Sequence, residues 1–368
     1  RYIPHVILKI SSKLRGTFMK SEDIAKLAGV SRGTVSRVLN GKSDVAEATR
    51  KKIEKIIEEH GYTPNASARK LAGKPAEVIG FFVYKNREKN SVNWWSQDSP
   101  YFVRLMVSLL GAAKKRGYNL LVDIINDGKD FDSMEGYFKS GIISGAVFVG
   151  FDEHVTKIES LIKKKYKVAL IDQKQSNNGH ENCILVNADD KNGAYLATKY
   201  LIEKGHRKII HVHGDKNIIS GRLRIEGYVK ALEDYNIEVK ESYIVNGEYN
   251  QDKSYEATKR ILEENKNSLP TAIFFANDVM AVGGIKAIRD AGLRVKDDIS
   301  VIGFDNYFFG DSFDMSFSSI KAPLEEMSEF AIENLIKSIN KEDFINIFKG
   351  EVELILRESI KDLNNETV

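Results

Sequence analysis

Residues Met19 to Gly73 read MKSEDIAKLAGVSRGTVSRVLNGKSDVAEATRKKIEKIIEEHGYTPNASARKLAG. Three short amphipathic helices can be laid on this stretch, with a sharp reversal between the first two. Ser21 is placed to cap a helix whose apolar side is Ile24, Ala25, Leu27 and Ala28, and Gly29 follows where a reversal needs positive φ. Val30 fills the angle between the helices. Ser31 then caps a second helix, in which Val35, Val38 and Leu39 recur at three- and four-residue spacing. Its outer side is left to Arg32, Gly33, Thr34, Ser36 and Arg37. Short donors, two guanidinium groups and a glycine that allows close approach suit a helix lying in a nucleic-acid groove. A third helix, Glu47 to His60, carries Ile53, Ile56 and Ile57 on one face and meets the terminator Gly61.

Beyond it, Thr63-Pro64 forces an extended approach and Asn65 is of helix-capping type. Ala66 to Ala72 is a helix too short to be stable alone in water, so it must fold against something. Read from these residues alone, Leu71 is linker packing and Arg69 and Lys70 are a solvated face.

The run AGVSRGTVSRVLNG, followed by TRKKIEKIIEEHGYTPNASARKLAG, closely resembles the DNA-binding domain of the lactose-repressor (LacI/GalR) family of bacterial transcription regulators, and the resemblance continues nearly to the C-terminus. It implies a helix-turn-helix domain over 19–64, a hinge helix and linker over 65–76, and a two-lobed, periplasmic-binding-protein-like effector and dimerisation domain over 77–368. It also implies that the hinge helix orders on palindromic operator DNA, pairs with its dimer mate in the minor groove and wedges Leu71 into the central base step. The DNA-contacting positions so implied are Ser31, Arg32, Gly33, Thr34, Ser36, Arg37, Asn40, Tyr62, Asn65, Ala68, Arg69 and Leu71. One departure is Ala46, where the family usually has a serine or threonine capping the third helix; loss of such a cap costs on the order of 1 kcal/mol.

The 368 residues exceed one ordinary domain, and 42% hydrophobic with 29% charged content describes a globular chain with ample core. The net charge of +3 hides an asymmetry. Residues 1–18 contribute +4, and residues 19–73 another +4 from eleven Lys and Arg against seven Asp and Glu, leaving −5 for the remainder. A basic module on a neutral-to-acidic receptor is the footprint of a nucleic-acid reader. Cys183 is the single cysteine, which excludes an internal disulfide and fits a reducing cytoplasm. Residues 1–18 interrupt their short apolar run with Lys9 and show no small-residue cleavage site, so they are read as a disordered upstream extension rather than a signal peptide. No apolar run is long enough to span a membrane.

From Glu77 onward, strands and helices alternate. Strands are expected at VIGFFVY (78–84), NLLVDII (119–125), GAVFVG (145–150) and VALID (168–172), with helices at 101–116, about 131–140 and 155–164. The rhythm then repeats, with helices at 191–204, 222–235, 253–265 and 280–291 between strands KIIHVHG, SYIVNG, TAIFFAN and ISVIGFD. This is an α/β architecture of two similar lobes built on parallel sheets, divided near Asn187, with the chain returning between them near Ser319 to Lys321.

Ligands of such sheets bind beyond the carboxyl ends of the strands. Asp172, Asn277, Asp278, Asp305 and Asn306 end strands, and Arg224 opens the helix after KIIHVHG. The family resemblance implies an effector site at Tyr101, Phe102, Asp172, Arg224, Tyr249, Asn277 and Asp305. Carboxylates with Asn and Arg suit adjacent hydroxyls, and flat aromatics suit a pyranose face, so a sugar is the expected effector. Asp189, Asp190 and Asp278 read as helix caps, His206 as structural, and His213 as a weaker pocket residue. The connection KNREKNSVNWWSQD carries Trp94 and Trp95, which fit a ligand lid, a protein contact or local packing equally.

No P-loop, metal-ligand spacing or G-x-S-x-G elbow occurs, so no enzyme activity, cofactor or metal is expected. The expectation is a cytoplasmic, dimeric repressor of carbohydrate-utilisation genes, relieved by a sugar. ELILRESI near the C-terminus is followed by no heptad repeat that would make a tetramer. The alternatives are a regulator sensing a purine corepressor or a protein partner, and a sugar-binding protein without a DNA role.

Overall fold

The computed structural model describes residues 19–39, 42–60, 62, 75–84, 100–125, 128–150, 155–173, 183–307 and 316–366. The chain divides into two compact units between Ala76 and Glu77.

In the first unit, α1 (Ser21–Ala28), α2 (Arg32–Leu39) and α3 (Glu47–His60) enclose a core of Ile24, Ala25, Ala28, Val35, Val38, Ile53 and Tyr62. Gly29 takes φ 67°, the left-handed conformation that ends α1. Two local expectations are corrected. Lys20, not Ser21, is the N-cap of α1, and its own N–H donates to the Asp23 carboxylate at 2.8 Å. Leu27 is 50% exposed, because it lies roughly 100° around the helix from the middle of the stripe Ile24, Ala25 and Ala28. The Ala46 carbonyl accepts the Thr49 and Arg50 N–H groups at 2.9 Å, and the side chain adds no cap. The expected terminator Gly61 lies outside the described residues.

The second unit holds two six-stranded sheets, ordered β11-β5-β4-β3-β1-β2 and β12-β10-β9-β8-β6-β7. The first contains β1 (Val78–Tyr84), β2 (Asn119–Ile125), β3 (Gly145–Val149), β4 (Val168–Ile171), β5 (Cys183–Ala188) and β11 (Ile347–Gly350), all parallel. The second contains β6 (Ile209–His213), β7 (Ile244–Asn246), β8 (Ala272–Phe275), β9 (Ser300–Phe304) and β10 (Ser318–Lys321), with β12 (Glu353–Ile355) antiparallel at its edge. The central strands are buried along their whole length because helices cover both faces. Those helices are α4 (Pro100–Lys115), α5 (Gly128–Ser140), α6 (Val155–Lys163) and α11 (Leu324–Asn340) on the first sheet. On the second they are α7 (Asp190–Glu203), α8 (Ile219–Asp234), α9 (Gln251–Glu264) and α10 (Asp278–Asp290).

The chain passes between lobes three times, at 188–190, after Lys321 and between Gly350 and Glu353. Leu324, Met327, Ala331, Ile332 and Leu335 seat α11 on the first lobe at helical spacing. No helix among the described residues is long and apolar enough to cross a membrane.

Candidate DNA-reading face and ligand cleft

On α2, Arg32, Gly33, Ser36 and Arg37 are exposed and Thr34 is half-buried. The Ser31 hydroxyl caps the helix, accepting the Thr34 N–H at 3.1 Å and sharing a 2.9 Å hydrogen bond with the Thr34 hydroxyl. Arg32 lies 3.5 Å from Glu22, and Arg37 lies 3.7 Å from Asp44. Exposed pairs this loose are worth about 0–1 kcal/mol, so both guanidinium groups can be released to phosphate or base edges at little cost. Tyr62 departs from the expected contact set: it is 7% exposed and packs into the three-helix core, so its ring is committed to holding the helices together. Asn40, Asn65, Ala68, Arg69 and Leu71 lie outside the described residues.

The second unit gathers charge where its lobes meet. Arg224 is 6% exposed, on the face of α8 that carries Gly221, Gly227 and Tyr228. A side chain at Gly227 would strike the Lys191 carbonyl at 2.1 Å, so glycine lets α8 lie against α7 and brings Arg224 to Asp190. Gly193 similarly leaves room for the Phe304 ring, on which the guanidinium lies at 3.6 Å. Arg224 Nε and Nη2 both reach Asp190 Oδ1 at 2.8 Å, and Nη1 donates to the Ala276 carbonyl. Nη2 is 3.6 Å from Asp305 Oδ1, which has no hydrogen-bond partner. Burial alone would pull the guanidinium pKa down, but Asp190 and the other acidic groups outweigh it and raise it.

Asp172 ends β4 and accepts the Tyr101 hydroxyl from the first turn of α4. Burial pushes its carboxyl up to about 7, and Asp190 adds to the rise. Asp305 is also pushed up to about 7 by burial, with Asp190 raising it and Arg224 opposing. Tyr249 joins Ser220 through a 3.1 Å hydroxyl contact, and burial pushes its pKa up to about 12. Asp172, Glu248, Tyr249, Asp305 and Asn306 all have positive φ, between 53° and 98°. For residues with side chains that conformation is uncommon. The lobes touch directly above it: Arg104 of α4 donates to the Asn306 carbonyl at 3.3 Å and lies 5.5 Å from the Tyr307 ring centre.

Tyr101, Asp172, Arg224, Tyr249 and Asp305 thus come together. Asn277 borders them, with its side-chain oxygen occupied as the N-cap of α10, accepting from Met280 at 2.9 Å. Phe102 points the other way: it is 7% exposed in the core of the first lobe, because the residue after Tyr101 on a helix falls on the sheet-facing side. Two residues read as caps have larger roles. Asp190 is the partner of Arg224, while Asp278, 1% exposed, accepts the Ser319 hydroxyl and the Tyr307 N–H at 2.6 Å and ties β10 to the loop after β9. Asp189 does cap α7, through Asn192 at 3.2 Å. His206 meets the Lys361 carbonyl at 3.1 Å. His213 is buried beside the Gly214 carbonyl. A signal for Asp190 was present: an arginine in the middle of an otherwise small and apolar helix face demands a buried carboxylate. Among the described residues no group of three His, Cys, Asp or Glu could hold a metal ion. Trp94 and Trp95 lie outside the described residues.

Exposed cations on a helix-turn-helix, in one chain with a two-lobed unit that has a polar site at its lobe junction, define a ligand-responsive DNA-binding regulator. Residues 21–65 match bacterial regulatory proteins of the lacI family, and residues 198–360 match the periplasmic binding protein-like domain. The probable HTH-type transcriptional repressor ExuR of Bacillus subtilis (strain 168) is 32% identical over 343 residues, covering 93% of this chain and 98% of that one. The HTH-type transcriptional repressor PurR of Serratia proteamaculans (strain 568) is 31% identical over 347 residues, covering 93% and 96%. The solved complex of the transcriptional regulator CelR with cellobiose matches with TM-score 0.68 and 25% identity, over 93% of this chain and 99% of that one. The chain belongs to the lacI family of bacterial regulatory proteins: it is a DNA-binding transcriptional regulator, and its relatives ExuR and PurR are repressors.

Proposed function

We propose that this regulator is a cytoplasmic homodimer that represses carbohydrate-utilisation genes at a palindromic operator and is released by a small sugar. The observation that carries the effector reading is Asp305 Oδ1, a buried carboxylate oxygen without a hydrogen bond, facing the lobe junction beside Asp172, Arg224, Tyr101 and Tyr249. Vicinal hydroxyls supply the donors such oxygens lack, and the tyrosine rings offer flat faces to a pyranose. The CelR complex, whose ligand is cellobiose, supports the same reading.

Arg32, Gly33, Ser36 and Arg37 would read base edges and nearby phosphates in the major groove, with Ser31, Thr34 and Asn40 bordering them. Asn65, Ala68, Arg69 and Leu71 would form the minor-groove hinge, Leu71 as the wedge. Val103, Val107 and Leu110, exposed at four- and three-residue spacing on α4, offer apolar surface for the dimer to bury. Effector binding would draw the lobes together and spread the paired hinge helices, so that the folded, DNA-bound hinge loses stability. A purine corepressor is the second reading, favoured by the PurR relative.

A thermal-shift screen against sugars and purines tests this, with each hit repeated on Asp305→Asn. A sugar that raises the midpoint of the unaltered protein more than that of the variant is the expected result. Stabilisation by purines alone would move the reading to the corepressor.

A further inference from the structure

Arg357 belongs to the C-terminal segment after β12, yet its side chain ends at the lobe junction. Nη2 donates to the Asn306 side-chain oxygen at 2.6 Å, and Nη1 to the Phe317 carbonyl at 2.8 Å. One planar group thus holds the turn that follows β9 and the residue that precedes β10. The arginine is itself fixed. Its N–H donates to the Ser318 hydroxyl at 2.9 Å, and that hydroxyl returns a bond to its carbonyl at 3.2 Å. Two residues on, the Ser359 hydroxyl accepts the Ser318 N–H at 2.8 Å and donates to the Val301 carbonyl at 2.7 Å.

The turn needs such support. Asp305 and Asn306 take φ 98° and 54°, values that residues with side chains keep only where their surroundings impose them. Its N–H groups are met from β10 and α10: Asp305 by the Ile320 carbonyl at 2.6 Å, Asn306 by the Ser319 hydroxyl at 3.0 Å, and Tyr307 by one Asp278 oxygen at 2.6 Å. Ser319 donates to the other Asp278 oxygen at 2.6 Å, and the Arg357 guanidinium favours the charged form of that buried carboxylate. Arg357 adds a hold on the Asn306 side chain. Asn306 is where such a hold matters, because its carbonyl accepts Arg104 from the first lobe at 3.3 Å and the residue before it is Asp305, 3.6 Å from Arg224.

We propose that Arg357 is a positioning residue of the lobe junction: by clamping Asn306 it keeps the turn in this conformation, and so sets where the Asp305 carboxylate and the Asn306 carbonyl are presented to Arg224 and Arg104. Lysine keeps the charge but cannot span two acceptors with a planar fork, so Arg357→Lys separates the clamp from the charge. For ligand binding the inference rests on reading the junction as the effector site; for the turn it does not.

Hydrogen exchange of the full-length chain, followed by mass spectrometry over the 305–307 amides, tests the clamp. Arg357→Lys should speed exchange there about tenfold, the share of one hydrogen bond to a charged group, and leave β6 and β8 unchanged. Ser359→Ala, in the same segment but with its hydroxyl on Ser318 and Val301, should not single out these amides. In Asn306→Gly, which accepts positive φ and has no side chain to hold, adding Arg357→Lys should change exchange by less than about twofold. Unchanged exchange in Arg357→Lys, the same acceleration in Ser359→Ala, or a full tenfold acceleration on top of Asn306→Gly overturns the proposal. Calorimetric titration with cellobiose and with hypoxanthine separates it from the effector reading. A probe bound by the unaltered protein, and about tenfold more weakly by Arg357→Lys, supports both. Faster exchange with a probe bound equally by both proteins leaves the clamp standing and removes the turn from the effector site.

Discussion

Arg32 and Arg37 on α2 have side chains about 60% exposed, each in one loose ion pair, whereas Arg224 is 6% exposed, with two 2.8 Å contacts, a carbonyl and an aromatic ring around it. The two units thus handle the same chemical group in opposite ways. The reader keeps its cations in water, where they contribute almost nothing to the fold and are available to a polyanion. The receptor removes its cation from water, where it is useful only while its carboxylates remain. Substitutions in the reader should therefore separate binding from stability, and substitutions in the receptor should not.

The largest effect expected is from Arg224→Ala. It leaves Asp190 buried without its hydrogen-bonded ion-pair partner, a loss of about 3–5 kcal/mol, visible as a lowered calorimetric midpoint for the receptor unit. A loss below about 1 kcal/mol would break the contrast. Next, Arg37→Ala should cost about 1–3 kcal/mol in operator binding, read by fluorescence anisotropy, while the midpoint stays within about 0.5 kcal/mol of the unaltered protein.

Asp305→Asn sharpens the contrast through pH. The Asp305 carboxyl is raised to about 7 in the folded chain, above its unfolded value near 4, so the folded state holds the extra proton between those values. Stability contributed by that proton is complete below about pH 4 and is lost as pH rises through about 7. The unaltered protein should accordingly lose thermal stability from pH 5 to pH 8 more steeply than Asp305→Asn, by on the order of 1–2 kcal/mol. Parallel pH profiles would remove Asp305 from the account. The smallest effect is in the reader: Ala46→Ser should stabilise the first unit by about 0.5–1 kcal/mol, by supplying the side-chain acceptor that α3 lacks, and should leave the pH profile unchanged.

The same contrast explains what the sequence disclosed. The reader was legible because its rules are local: Gly29 at positive φ, Ser31 as a cap and apolar residues at helical spacing fix three helices within forty or so residues. Its errors were local too. The Ser21 cap moved by one residue and Leu27 fell off the stripe. Alternating strands and helices were legible from Val78 to Phe304, because buried parallel strands read as apolar runs. The C-terminal part was not, since α11, β11 and β12 complete both lobes by crossing between them, and crossing is a matter of long-range packing.

In the junction, strand ends pointed to Asp172, Asn277 and Asp305, while Asp190 passed for a helix cap. Its partner Arg224 lies one helix and one strand further on, and only the packing of α7 on α8 joins them. Phe102 was drawn into the site by its neighbour Tyr101, although adjacent helical residues face different ways.

The central claim is that DNA reading and ligand sensing reside in separately stabilised units, one exposed and one buried. It is tested most directly by measuring operator affinity and the calorimetric midpoint on the same samples of Arg37→Ala and Arg224→Ala, using a DNA site recovered by selection from a random library. The account predicts that Arg37→Ala loses DNA binding at an unchanged midpoint, while Arg224→Ala lowers the midpoint. If Arg37→Ala binds that site as the unaltered protein does, or Arg224→Ala melts at the same temperature, the account is contradicted.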